Sequence, residues 1–430
     1  MKKNIIFSFL IKLLSVIVNL LYVPLIINYI NAERYGIWLT ISSFIGWMGL
    51  LDIGFGNGLR NKYAEAIALN DIDAQRKIVN TTLFVLIVIS FFILVIGSIA
   101  VNHVNWDSLL GVSEVYREEL KELFYCVIIL FSVQFIFQII TPIYYAIQRS
   151  SMVSFSNLLG NIFGLVGVLI LKKYSQPSLI SLGFIIMFGN ILSFFILFSK
   201  YFFIERRGLL NIHMLPDLEH VKSIFSLGVK FFIVNIAYVV QYQSTNFLIS
   251  KYFSFENVTE FNIAFKLFSV GAISFSIIIS PVWSTVTNAY ISNDYEWIER
   301  LIKKLLLMWL FICVGCCVAL MLSDDIYKLW IGNNIQIPFS YSLGAAIIIC
   351  TNCFSSIFIQ VLNGLSKVNL QFWLSVVVII IFIPLAYYLS VRLSLGVFGI
   401  CIAIVLSNFN GMLVAPIQLS RIVYKMKKNT

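Results

Sequence analysis

The chain has 430 residues, 60% of them hydrophobic and only 12% charged, with a formal net charge of +10. A soluble fold of this size cannot bury so much apolar surface. The composition therefore excludes a soluble enzyme, a nucleic-acid binder and a disordered chain, and places the protein in a bilayer.

A helix needs about 20 apolar residues to cross hydrocarbon. Twelve stretches are predicted to do so, in chain order 5–30, 36–54, 80–101, 123–146, 151–171, 178–199, 223–249, 259–283, 305–322, 339–362, 369–389 and 395–419. The first run follows Met1-Lys2-Lys3 but is too long for a signal-peptide core, and it reads as a spanning helix. The intervening segments are short. Residues 55–79 form the longest predicted loop, and 102–122 the longest outer one, with Asp107, Glu114, Glu118, Glu119 and Glu122 reading as a solvated helix face.

Twelve spans put both termini on one side. With that side cytoplasmic, inner segments carry 19 Lys and Arg against 8 in outer ones. The positive-inside bias therefore predicts cytoplasmic termini. Trp38, Trp106, Trp283, Trp330 and Trp373 fall near predicted interfaces, as an aromatic belt would.

All seven cysteines lie in apolar runs, and Cys313/Cys316 and Cys350/Cys353 have CxxC spacing without a histidine or carboxylate nearby. They read as packing residues. His103, His213 and His220 fall in predicted loops, so no metal site and no cofactor is expected.

The chain repeats itself. Phe7, Ser8 and Lys12 recur as Phe225, Ser226 and Lys230, and Ala66-x-x-x-Asn70-Asp71 recurs as Ala289-x-x-x-Asn293-Asp294. The expected organisation is an N-terminal six-helix lobe at 1–200, a cytoplasmic linker at 201–222 and a C-terminal six-helix lobe at 223–430. Six spans per half give both halves the same direction, with a cleft between them.

A charge in hydrocarbon costs about 2.5–3.5 kcal/mol or more and needs a reason. Lys12 and Lys230 sit at equal depth in spans one and seven, and Lys266 lies in span eight. Snorkelling to the headgroups would account for them. A hydrated cleft that attracts an anion, such as a diphosphate, is the functional alternative. Asp52 stands at the inner end of span two, where it can pair with Arg60 or respond to a proton or sodium ion. Pro24 shares a span with Lys12 and is a hinge candidate. Asn235, Gln241 and Gln243 on span seven need partners out of lipid, from a wet cleft or from neighbouring helices.

Leu51-Asp52-Ile53-Gly54-Phe55-Gly56-Asn57-Gly58-Leu59-Arg60-Asn61 and Glu33-Arg34-Tyr35-Gly36-Ile37-Trp38 resemble the second span of polysaccharide repeat-unit flippases, the Wzx class of the multidrug/oligosaccharidyl-lipid/polysaccharide exporter superfamily. Pro281-Val282-Trp283 and the Asn293-Asp294 loop are similar to that family's second half. The resemblance implies an all-α membrane protein of 12 transmembrane helices, in two pseudo-symmetric MATE-like bundles around a central cleft. It implies transport of an undecaprenyl-diphosphate-linked oligosaccharide across a bacterial inner membrane, for O-antigen or capsule synthesis, with a cationic cavity for the headgroup. Lys12, Lys230 and Lys266 would carry that charge. A proton or sodium gradient, membrane lipid, and the pathway's polymerase and chain-length regulator are the implied partners.

Two alternatives stand beside it. A multidrug or cation antiporter would call for carboxylates in the cavity, where the deep charges here are basic. A membrane-embedded polymerase or glycosyltransferase would call for a large catalytic outer loop, and no nucleophile–base pair or phosphate loop is visible.

Overall fold

The computed structural model describes residues 2–52, 55–147, 149–210, 218–279, 282–291, 294–332, 335–365, 367 and 369–428; the side chains of 2–10, 12–13, 218–231, 424–428 and scattered single positions lie outside the description. Among the described residues the chain is all helix and turn. Packing divides it into two compact units, Met1–Asn235 and Ile236–Thr430.

The first unit contains α1 (Lys2–Ile30), α2 (Ala32–Met48), α3 (Phe55–Ala68), α4 (Ile72–His103), α5 (Trp106–Leu110), α6 (Arg117–Phe137), α7 (Ile140–Ala146), α8 (Ser150–Tyr174) and α9 (Leu179–Ser199). The boundary between the units falls within α10 (Leu218–Tyr252). The second unit continues with α11 (Phe255–Ile279), α12 (Val282–Ile291), α13 (Tyr295–Met321), α14 (Ser323–Ile331), α15 (Phe339–Gly364), α16 (Asn369–Tyr387), α17 (Gly396–Ser407) and α18 (Ala415–Lys428).

Polarity is arranged for lipid. Phe91, Ile96 and Ile99 on α4 and Phe311 and Val314 on α13 are exposed, whereas Thr40, Thr82, Ser132 and Ser193 are buried. Thr82 and Ser132 return their hydroxyl protons to carbonyls one turn back, and Ser90 crosses from α4 to the Ser132 carbonyl on α6 at 2.7 Å. No backbone or hydroxyl group can look to water in hydrocarbon, so these bonds are made inside the protein. Among the described residues eight helices are long and apolar enough to cross a bilayer, or nine when the pair Gly396–Ser407 and Asn410–Val423, bent by 43°, is one span. The expected spans at 5–30 and 223–249 contain side chains outside the description. The protein is a multi-pass membrane protein.

In the first unit α8 and α9 approach closely through glycine. A Cβ on Gly189 would lie 2.9 Å from both the Gly160 carbonyl oxygen and the Gly164 nitrogen. Such small-residue contacts drive helix association where lipid removes the hydrophobic force. Tyr22 ties α1 to α8 through the Asn161 carbonyl at 3.0 Å.

Three expectations need correction. Residues 55–79 are not a loop: α3 and the start of α4 occupy them, with Leu59, Tyr63 and Ala66 buried as one stripe. The stripe is amphipathic, so its average polarity hides it from a search for apolar runs. Asp107 is not on a solvated face. It is buried, and its Oδ2 accepts a 2.7 Å bond from Arg117. Trp38 is not in an interfacial belt either; its ring is buried beside Gly183, whose missing side chain makes the room.

Candidate functional site

Each unit holds cavities within itself, and one of about 390 Å³ in the first unit is lined by residues that include Arg149, Tyr201, Glu205 and Arg206, with Arg149 donating to Glu205 at 2.9 Å. In the first unit a cavity of about 240 Å³ is lined by residues that include Arg60, Thr82, Gln138, Thr141 and Tyr145. Arg60 comes from α3, the helix that hydropathy concealed. Its guanidinium lies 5.2 Å from the centre of the Tyr145 ring. The aromatic face attracts the cation without consuming its donors. Among the described residues no carboxylate lies within ion-pair distance of Arg60. A planar fork of donors with no hydrogen-bond partner among the described residues, beside three hydroxyls and an amide, suits an oxyanion.

In the second unit a cavity of about 380 Å³ opens between α10, α11, α15 and α17. Its wall combines rings (Tyr238, Tyr242, Phe261, Phe265) with amides (Gln243, Asn246, Asn262, Asn352), and among the described residues no charged one lines it. The polar groups form a network across helices. Asn408 Nδ2 donates to Asn352 Oδ1 at 2.9 Å, and Asn352 Nδ2 donates to the Tyr242 oxygen at 2.6 Å. Asn262 Nδ2 donates to Asn246 Oδ1 at 2.7 Å. Tyr238 and Tyr242 follow one turn apart on α10, with ring centres 4.7 Å apart.

The sequence-selected residues divide among several environments. Gln243 lines the second unit's cavity, and Arg60 lines the cavity of about 240 Å³ in the first. Gln241 is buried, and its amide donates to the Ile404 carbonyl on α17 at 2.7 Å, so it serves as a tie between helices. Asn235 is exposed on α10. Lys266 is half-buried on α11, next in sequence to the cavity residue Phe265. Pro24 lies half-buried inside α1. Asp52 ends the tight turn Gly49–Asp52 after α2, Lys12 lies on α1 and Lys230 on α10; the side chains of all three are outside the described residues. Among the described residues no cluster of three or more His, Cys, Asp or Glu is placed to hold a metal.

Sequence reasoning passed over Tyr145, Tyr238, Tyr242, Asn262, Asn352 and Asn408. A signal for the asparagines was present. An amide well inside an apolar span needs an internal partner just as a charge does, but the search weighed formal charges first.

Residues 1–286 match the polysaccharide biosynthesis protein family. The chain belongs to that family. Two curated relatives of this chain are candidate O-antigen transporters. The one from Salmonella typhimurium is 20% identical over 405 residues, covering 93% of this chain and 91% of the relative. The one from Salmonella typhi is 20% identical over 76% of this chain and 74% of the relative. A candidate O-antigen export protein of Yersinia pseudotuberculosis is 19% identical over 73% of this chain and 71% of its own length. Among solved structures, the inward-facing conformation of a multidrug resistance MATE family transporter of the MOP superfamily superposes with a TM-score of 0.78 at 15% identity, over 99% of both chains. A MOP superfamily transporter from Pyrococcus furiosus gives a TM-score of 0.67 at 16% identity, over 99% of this chain and 96% of that one. The chain therefore has the MATE-like all-α fold.

Proposed function

We propose that this protein is a flippase that carries an undecaprenyl-diphosphate-linked oligosaccharide repeat unit across the bacterial inner membrane, for O-antigen or capsule synthesis. The similarity of nearly the whole chain to candidate O-antigen transporters supports the substrate class. The observation that carries the choice is the lining of the Arg60 cavity and of the second unit's cavity: among the described residues no carboxylate lines either, Arg60 lines one, amides and rings line the other, and Glu205 in the further cavity of the first unit is already paired with Arg149. A cationic drug would meet no counter-charge in either. An anionic headgroup with neutral sugars would meet donors in both.

In this reading Arg60, with Gln138 and Thr141, receives the diphosphate in one access state. Lys12, Lys230 and Lys266 add positive charge along its route. The polyprenyl tail stays in lipid while the head crosses. Exposure of the site alternates between the two faces, and a proton or sodium gradient biases the exchange, with Asp52 as the ion-responsive group and Pro24 as a bend point. A ligand or gradient can shift such an equilibrium only by interacting differently with the two states. The basic bias of the inner segments supports cytoplasmic termini. The chain is a transporter rather than an enzyme, and it hands its cargo to the pathway's polymerase and chain-length regulator.

The test is to delete the protein in its own cell. The polyprenyl-linked saccharide should accumulate on the cytoplasmic leaflet while surface glycan is lost. Unchanged surface glycan with no accumulated intermediate would overturn the reading.

A further inference from the structure

We infer that the cavity of the second unit is a recognition subsite for one uncharged sugar residue of the cargo, and that its wall selects which saccharide is carried. The inference rests on the flippase reading and deepens it.

A pyranose ring has an apolar face of C–H groups and an edge of hydroxyls. A site for it needs flat apolar walls, plus groups that both donate and accept at close spacing. Side-chain amides do both within one planar group. This cavity has both kinds of wall and, among the described residues, no formal charge. At about 380 Å³ it falls within the roughly 300–1,000 Å³ range of small-molecule sites. It fits a single sugar rather than a whole repeat unit.

The wall is built to keep its shape. Tyr238 and Tyr242 form a continuous aromatic surface on one face of α10. Asn352 holds Tyr242 from α15, and Asn408 holds Asn352 by its carbonyl. The Tyr242 oxygen has accepted a bond, so its own proton remains available to a ligand. Asn352 has spent one of its two N–H donors on Tyr242 and keeps the other.

Gln243 adds a second handle. It lines the cavity, and among the described residues it has no hydrogen-bond partner. An amide without a protein partner in a membrane helix is costly unless water or a ligand meets it. Asn246 and Asn262, bonded to each other, also line it. Removing the Gln243 amide should change sugar binding while leaving helix packing intact, because among the described residues no protein group depends on it.

The test uses the full chain in phospholipid nanodiscs, which contain no sugar detergent. Methyl glycosides of glucose, galactose, N-acetylglucosamine and rhamnose are the probes, read by saturation-transfer NMR. The wild type should bind at least one of them, and Gln243→Leu and Gln243→Ala should each weaken that binding tenfold or more. Tyr242→Phe and Asn352→Leu are avoided here because they strand Asn352 and Asn408. Equal binding by wild type and variants, or no glycoside bound by the wild type at millimolar concentration, would overturn the inference. In a parallel arm, vesicles containing the wild type are assayed for flipping of a polyprenyl-diphosphate saccharide. Flipping without variant-sensitive glycoside binding removes the subsite and leaves the flippase standing. Variant-sensitive glycoside binding without flipping keeps the subsite and removes the flippase.

Discussion

The amide of Asn352 donates a 2.6 Å hydrogen bond to the phenol oxygen of Tyr242, joining α15 to α10 across 110 residues of sequence. Asn408, the residue that caps the end of α17, completes the chain. Three polar side chains thus satisfy one another, and they fix the aromatic wall of the second unit's cavity. Replacing one member leaves another unpaired at a cost of about 1–3 kcal/mol. Asn352→Leu should lower the unfolding temperature in nanodiscs, and adding Asn408→Leu should restore part of the loss. A strictly additive pair would show that the two amides do not interact.

The α8–α9 seam gives a packing prediction. Gly189 faces backbone atoms of Gly160 and Gly164, which cannot swing aside as a side chain could. Gly189→Ala should force the helices apart at about 1–3 kcal/mol, as overpacking does. Gly315→Ala is the control, since a Cβ there would meet nothing within 4 Å. Thermal unfolding of both variants checks the contrast: a large shift for position 189 and little or none for 315.

Acid sensitivity follows from the pair under the short helix α5. The hydrogen bond from Arg117 holds the Asp107 carboxyl below the usual aspartate range. Its second oxygen, Oδ1, is buried without a hydrogen-bond partner among the described residues. A carboxylate whose pKa falls on folding contributes stability that is full above its unfolded pKa, about 3.9. That contribution is lost as pH falls through the lower folded value. The unfolding temperature should therefore owe nothing to this pair's titration between neutrality and about pH 4. Below that it should drop, and Asp107→Asn should flatten the drop. An acid profile unchanged in Asp107→Asn would contradict the assignment.

Arg60 supplies a functional prediction. Arg60→Lys keeps a positive charge but loses the planar fork over Tyr145. Arg60→Gln loses the charge as well. Flipping in vesicles should fall by roughly tenfold for lysine and further for glutamine, since one hydrogen bond to a charged group is worth about 1.5–3 kcal/mol. Equal rates in all three proteins would remove Arg60 from the headgroup's path.

Much of the architecture was legible in composition. Long apolar runs announce spanning helices because only internally bonded backbone survives in lipid, and α4, α13 and α15 stand where those runs predicted. Averaged hydropathy could not show α3, whose buried Leu59 and Tyr63 alternate with polar Arg60 and Lys62. It therefore left Arg60 in a loop rather than on a cavity wall. Formal charge drew attention to span seven but not to what its amides contact. Gln241 and Gln243 lie two residues apart, and one ties helices together while the other lines a cavity. That distinction depends on α17 and its Ile404 carbonyl, far away in sequence. The buried Asp107 was missed for a similar reason: its partner Arg117 lies beyond the turn and folds back over it.

The most direct measurement is flipping itself. A fluorescent polyprenyl-diphosphate oligosaccharide is placed in vesicles that contain the purified chain, and its exposure to an impermeant quencher is followed with an imposed proton or sodium gradient. Movement between leaflets well above the protein-free rate, slowed by Arg60→Gln, is the expected result. A rate equal to that of protein-free vesicles under every gradient would contradict the account.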